Sequence, residues 1–547
     1  MPEQERPSQF EYSAVLTGLR NPRGGKMCDY GKAAKLYDLG ADLNDLVTLF
    51  GDITRREPDT ERFFTNDTIY FLENGYSTKD LLEVSKLKDQ DDNPILDNST
   101  EFWDFAKMHG NIEDAKALVQ IRDSEGLTVF RNDDSEGGLR GFSAITSVLK
   151  GGVTAQAVQE LVDIKNDRGI SAFRTPRDIE RFLENGGDLD YAKALLNLYD
   201  HRNQQIFDEF SIALFKECSG EIDFAQKLVS IQDSEGQTVF SSGEDVVNFS
   251  QRGNASHTIT VAKDIVGFTD KDGKTIFRDG ADIVIALGVT HDNIDKIQQY
   301  LLVTDVNGNT CFNGEEIALL LYHEVPLEYA RKLALKGLNG HTIMYYHSMG
   351  FSEDKVDFAN SGKPKALILY PTNDDKYISF QAFRDEGTFA MLRTFATEYD
   401  VKIRAISSTT EMYKELDEAE DTTLLILGGH GSPTSIQFGK KNSKYRKLAT
   451  GDSVSLTSLD SDVKEHLGRM TKLKYVLLDS CLTGKGEEKA ENMVNFIADC
   501  APGVLVTGPT EIINARPIKE IQLYPLEVRL QAMYTHKDCT YSRRVEK

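Results

Sequence analysis

The stretch TLLILGGHG, residues 423–431, sets four consecutive apolar residues against a Gly-Gly-His-Gly end. A run of this length bounded by glycines reads as a strand buried on both faces. KYVLLDSC (474–481) has the same shape, with a cysteine where the first has a histidine. KALILYPT (365–372), VKIRAISS (401–408) and GVLVTGPT (503–510) complete a set of five, separated by helical stretches such as FRDEGTFAMLRTFATEY (383–399) and KAENMVNFIADC (489–500). Strands alternating with helices specify an α/β domain, a mostly parallel sheet between helices, over residues 363–547.

In such sheets the chemistry sits at the carboxyl ends of the strands. Two of those ends carry His430 and Cys481, on strands successive in the chain and expected to be adjacent in the sheet. A thiol attacks as its thiolate, and with an ordinary pKa of about 8.5 it needs a neighbouring imidazole to take the proton or hold the ion pair. His430 is the candidate base and Cys481 the candidate nucleophile. Glycines flank the histidine, and the amides of Gly431 and Cys481 are the expected oxyanion donors. Alone, either side chain reads as a packed strand-end residue; together at matched ends they read as a dyad. Six scattered cysteines with no close pairs exclude a disulfide framework and a zinc site, and the dyad chemistry calls for no metal or organic cofactor.

An apolar block followed by His-Gly, then a later one followed by Asp-X-Cys, resembles the caspase-like cysteine peptidases, which include metacaspases, clostripain, gingipains, separase and the CHAT proteins. The resemblance covers residues 363–547, a third of the chain. It implies a caspase-like fold and peptide-bond cleavage through a thioester on Cys481, with His430 as general base. It also implies that Asp479, two before the cysteine, lines the pocket for the residue preceding the scissile bond, giving cleavage after Arg or Lys. A partly desolvated carboxylate suits a two-bonded guanidinium. Asp479 has two further readings, capping the following helix and orienting His430. The segment FGKKNSKYRKLATGDS (438–453) concentrates Lys440, Lys441, Lys444, Arg446 and Lys447. It is a solvated loop, a self-cleavage site within 438–450, or a strip that docks on acidic repeats. An α/β hydrolase with a Cys nucleophile is disfavoured because no GxCxG elbow is present.

The rest of the chain repeats. IRDSEGLTVF (121–130), IKNDRGISAF (164–173), IQDSEGQTVF (231–240), TDKDGKTIF (269–277) and TDVNGNTCF (304–312) place Phe130, Phe173, Phe240, Phe277 and Phe312 in equivalent positions. Phe63, Leu96, Phe207 and Met344 continue the series at spacings of 32 to 43 residues, a unit of about 34. Within one unit, TPRDIERFLENGGDLDYAKALLNL (175–198) reads as two short amphipathic helices broken at Gly-Gly. One such hairpin cannot bury its apolar face alone, so residues 21–355 are expected to form a helical-repeat solenoid, ankyrin-like in period and turn but without the TPLHxA helix start, behind a polar N-terminal segment 1–20. The Asp/Asn/Gly turns are not EF-hands: with Gly308 at loop position six, positions one and twelve are Val303 and Gly314.

Of 547 residues, 63 are basic and 87 acidic, for a net charge of −24. Residues 363–547 hold 26 of each sign, leaving 37 bases and 61 acids in residues 1–362, so the whole excess lies in the repeats. That field disfavours nucleic acid and anionic lipid and favours a basic protein segment, as substrate or regulator. The polar, acid-bearing start MPEQERPSQFEYS lacks the layout of a secretory signal, and no apolar run is long enough to span a bilayer. A cytoplasmic site is expected. No sequence signal addresses oligomeric state. A second class of function stays open, a protein-binding scaffold whose caspase-like domain is inactive.

Overall fold

The computed structural model describes residues 7–20, 28–56, 63–88, 95, 100–130, 141–166, 168–251, 255–357, 361–372, 389, 393, 395–438, 453–480, 483–486, 490–510 and 540–546. Helices fill the N-terminal part and a mixed, mostly parallel sheet lies in the C-terminal part.

The helices come in pairs, and one pair shows why. Thr175 caps the helix Pro176–Glu184 by accepting from the Asp178 amide, and proline at the first turn costs nothing because its missing N–H has no helical partner there. The helix stops at Gly186, whose φ of +71° suits glycine. A Cβ on Gly187 would lie 2.5 Å from the Phe182 ring, so that glycine lets the chain turn tightly over its own helix. Asp188 then caps Leu189–Leu196. Gly110 under Phe105 and Gly220 under Phe215 repeat the device. Tyr191, on the second helix of its pair, donates its hydroxyl to the Gly220 carbonyl at 2.7 Å, and Tyr76, in the turn just before the second helix of its pair, does the same to Gly110, so one pair locks the inter-helix turn of the next.

The repeated turns are alike in atomic detail. Asp123, Asn166, Asp200, Asp233, Asp270 and Asp305 each accept the amides two and four residues on. The residue three on has positive φ, glycine in five cases and Asn203 in the sixth. These side chains bond their own backbone, which makes the turns structural. The aromatic positions that close the turns, Phe130, Phe173, Phe207, Phe240, Phe277 and Phe312, are buried, as is Met344. Phe63's side chain and Leu96 lie outside the described residues.

Two features differ from the sequence reading. The N-terminal segment is more than a polar lead-in: Ser8 and Glu11 form a capping box that opens the helix Gln9–Gly18, which buries Tyr12 and Leu16. The chain also divides into compact units within the helical series, not at residues 355–363. One unit comprises Met1–Ile231 with Phe240–Thr260, and the other Gln232–Val239 with Val261–Lys547. The reason lies inside the second unit, where the last helix of the series, Gly340–Ser348, belongs to the sheet's packing.

That sheet runs β2-β1-β3-β7-β8-β9. Its strands are β1 (Lys365–Pro371), β2 (Asp400–Ile406), β3 (Thr422–Gly428), β7 (Tyr475–Asp479), β8 (Leu505–Pro509) and β9 (Thr540–Arg544). All are parallel except β9, an antiparallel edge. Three short strands, β4 (His430–Ser432), β5 (Ser435–Gln437) and β6 (Ser455–Thr457), form a separate antiparallel sheet. Leu367, Leu369, Leu425, Leu427, Val476 and Leu478 point to one face, into a core with the helices Thr409–Asp417, Val463–Arg469 and Met493–Cys500. On β2's outer edge, the amides of Ile403 and Ala405 donate to Tyr346 Oη at 2.8 Å and Thr342 Oγ1 at 3.0 Å on Gly340–Ser348. A sheet edge that would otherwise offer bare amides is thereby closed by a helix. Asp357, bonded through both oxygens to Arg404, fastens the joint. No helix among the described residues is long and apolar enough to cross a membrane.

Candidate active site

The site candidates stand where the strand order changes direction. From β1 the chain steps to β2 on one side and then to β3 and onward on the other, and crevices form at such switch points. β3 and β7 are parallel neighbours, with Gly428 level with Asp479.

Each glycine of the Gly-Gly-His stretch has its own steric reason. A Cβ on Gly428 would sit 2.2 Å from Cε1 of Tyr370, because the Tyr370 ring on β1 crosses β3 at that point. A Cβ on Gly429 would meet the Gln437 carbonyl oxygen at 2.4 Å, because the β4–β5 hairpin folds back over it. His430 follows, exposed, in register with Gln437. Gly431, next along β4, is opposite Ile436.

The two strand ends are tied together. The Gly429 amide donates to the Asp479 carbonyl at 3.3 Å, and the buried Ser480 hydroxyl donates to the Gly429 carbonyl at 2.6 Å. Beyond Ser480 the loop is pinned again: Thr483 Oγ1 donates to the Ser480 carbonyl, and the Gly484 amide to the Pro509 carbonyl at the end of β8. The Met493 amide donates to the Pro433 carbonyl in the turn of the hairpin that carries His430. Cys481 lies outside the described residues, as do residues 439–452 with their five basic side chains.

The Asp479 side chain is buried, 6% exposed, and accepts a hydrogen bond at 2.5 Å from the Tyr370 hydroxyl. Tyr370 in turn stacks on Tyr345 of the helix Gly340–Ser348, with centroids 5.4 Å apart and planes at 24°. Neither Tyr370 nor Ser480 stood out in the sequence. A signal existed for the first: Tyr370 is the one polar-tipped residue in the apolar run 366–370, at the level of Gly428 and Asp479 on β3 and β7.

Three described thiols contrast with what a nucleophile needs. Burial pushes Cys28 up to about 12, and it also raises Cys311 and Cys500. No group of three or more His, Cys, Asp or Glu arranged to hold a metal occurs among the described residues.

No family model, curated protein or solved structure matches this chain.

Proposed function

We propose that this protein is a caspase-like cysteine endopeptidase in which His430 activates Cys481, the amides of Gly431 and Cys481 hold the oxyanion, and Asp479 receives an Arg or Lys side chain. One observation carries the reading. β3 and β7 end side by side, β3 bordering the switch point between β1 and β3, and the Ser480–Gly429 hydrogen bond joins the two residues that immediately precede Cys481 and His430 in the chain.

The reaction asks little else of the fold. The thiolate attacks the scissile carbonyl carbon, the imidazolium returns the proton to the leaving amine, and water hydrolyses the thioester. The acidic helical series recruits a basic substrate or regulator, and a cytoplasmic setting suits a free nucleophilic thiol.

The test is cleavage of a fluorogenic peptide with Arg before the scissile bond. Wild type is expected to cleave it, and Cys481→Ala to lose at least about 10⁴-fold in kcat. If an iodoacetamide probe labels Cys481 no faster than the exposed thiols of the unfolded chain, and no peptide is cut, the domain is an inactive scaffold instead.

A further inference from the structure

We propose that Tyr370, braced by Tyr345 from the last helix of the repeat series, is a positioning residue that sets specificity by fixing the Asp479 carboxylate for an arginine side chain. The inference rests on the peptidase reading and assigns a role to a residue outside the His–Cys–Asp set.

Three observations converge. Tyr370 and Asp479 belong to β1 and β7, with β3 between them, so their hydrogen bond exists only because the Tyr370 ring passes over a glycine: any Cβ at residue 428 would strike it. The contact is buried, and a hydroxyl donating to one oxygen of a carboxyl group holds that group in one orientation. The ring has little freedom to leave, because Tyr370 and Tyr345 are both fully buried and stacked. Tyr345 is flanked by Thr342 and Tyr346, whose side-chain oxygens accept the edge amides of β2, so the brace is fastened to the same sheet.

The chemistry follows from the difference between the two basic side chains. Arginine offers a planar fork that bonds a carboxylate well only at a set angle, whereas the lysine ammonium is a compact charge that tolerates a shifted partner. A carboxylate locked by Tyr370 therefore favours arginine, and one released from it favours arginine less. The helix bearing Tyr345 becomes part of the wall that supports the specificity residue.

The experiment compares steady-state kinetics of wild type, Tyr370→Phe, Tyr345→Leu, Asp479→Asn and the Tyr370→Phe/Asp479→Asn double variant on paired Arg and Lys peptides, with thermal midpoints measured alongside. Tyr370→Phe keeps the ring and its stacking and removes only the donor. It is expected to raise KM for the Arg peptide about tenfold and for the Lys peptide about threefold or less, with kcat within about twofold of wild type. In the Asp479→Asn background the same change should do nothing further, because its effect passes through that carboxylate. Tyr345→Leu leaves the hydroxyl in place and loosens the brace, so a rise of about threefold in the Arg KM is expected; it carries the test if Tyr370→Phe does not fold.

Wild-type cleavage with unchanged Arg and Lys KM in Tyr370→Phe overturns this inference alone. So does an equal effect of Tyr370→Phe with and without the Asp479 carboxylate, which would make its role structural. Absence of wild-type cleavage together with unselective labelling of Cys481 overturns the peptidase reading, and this inference with it.

Discussion

The turns of the helical series and the strand ends of the sheet both combine an acid with a glycine, yet they satisfy the acid differently. In the turns, Asp270 accepts the amides of Asp272 and Lys274, two and four residues away. At the strand ends, Asp479 accepts from Tyr370, 109 residues away, across an intervening strand. A carboxylate served by its own backbone is a local folding device. One held by a distant buried donor requires the whole sheet to be assembled first. The glycines divide the same way. Gly273 is needed for a left-handed φ of +77°, whereas Gly428 is needed because another strand's side chain occupies its Cβ position.

The largest effect expected from this contrast concerns where the chain can be cut. A fragment 363–547 loses Thr342, Tyr345, Tyr346 and Asp357, which removes the cover of β2, the brace of Tyr370 and the partner of Arg404. A fragment 232–547 keeps them all. Circular dichroism with thermal melting should show a cooperative transition for 232–547 and none for 363–547. A matching cooperative transition in the shorter fragment would mean that the sheet does not depend on the helical series.

At the other end of the contrast, Asp270→Ala removes two local hydrogen bonds on the surface. It should cost about 1 kcal/mol, comparable to losing a helix cap, and should leave peptide cleavage unchanged. Loss of cleavage in that variant would erase the distinction between local and long-range acids.

The two regions were also unequally legible in the sequence. The repeat was readable because each turn spells its own geometry: the acid, the glycine and the closing aromatic are contiguous. The five parallel strands were readable as apolar runs, since both their faces are buried. β9 was not, because its sequence TYSRR is polar, as befits a half-buried antiparallel edge. β4, β5 and β6, at three residues each, are too short to show a period. The polar start of the chain hid a helix that buries Tyr12, Ser13 and Leu16 while leaving its other large apolar residues, Phe10 and Val15, exposed. The expected boundary at 355–363 followed the change in rhythm, but packing ignores rhythm: Gly340–Ser348 ends the repeat in sequence and closes the sheet in space. His430, Gly431 and Cys481 were named from matched strand ends and Asp479 from a family motif, whereas Tyr370 depends on a crossing over Gly428 that no local pattern encodes.

The smallest effect lies in the helical series and depends on pH. Burial pushes the Glu209 carboxyl up to about 7 from an ordinary 4.5, with Arg174 partly opposing. Because the folded state holds the proton more tightly, stability contributed by this group is complete below about pH 4.5 and declines as pH rises through 7. Glu209→Gln removes the titration. Its thermal midpoint should match wild type at pH 4 and exceed it at pH 8. Equal midpoints at both values would place Glu209 in a more hydrated setting than the fold indicates.

The most direct test of the central pairing is the rate of Cys481 alkylation by iodoacetamide between pH 5 and 10, followed by peptide mass spectrometry in wild type and His430→Ala. With an imidazole beside the thiol, wild type should react at a nearly constant rate from well below pH 7, while His430→Ala should follow an ordinary thiol titration near 8.5. Superimposable profiles rising together near 8.5 would contradict the dyad.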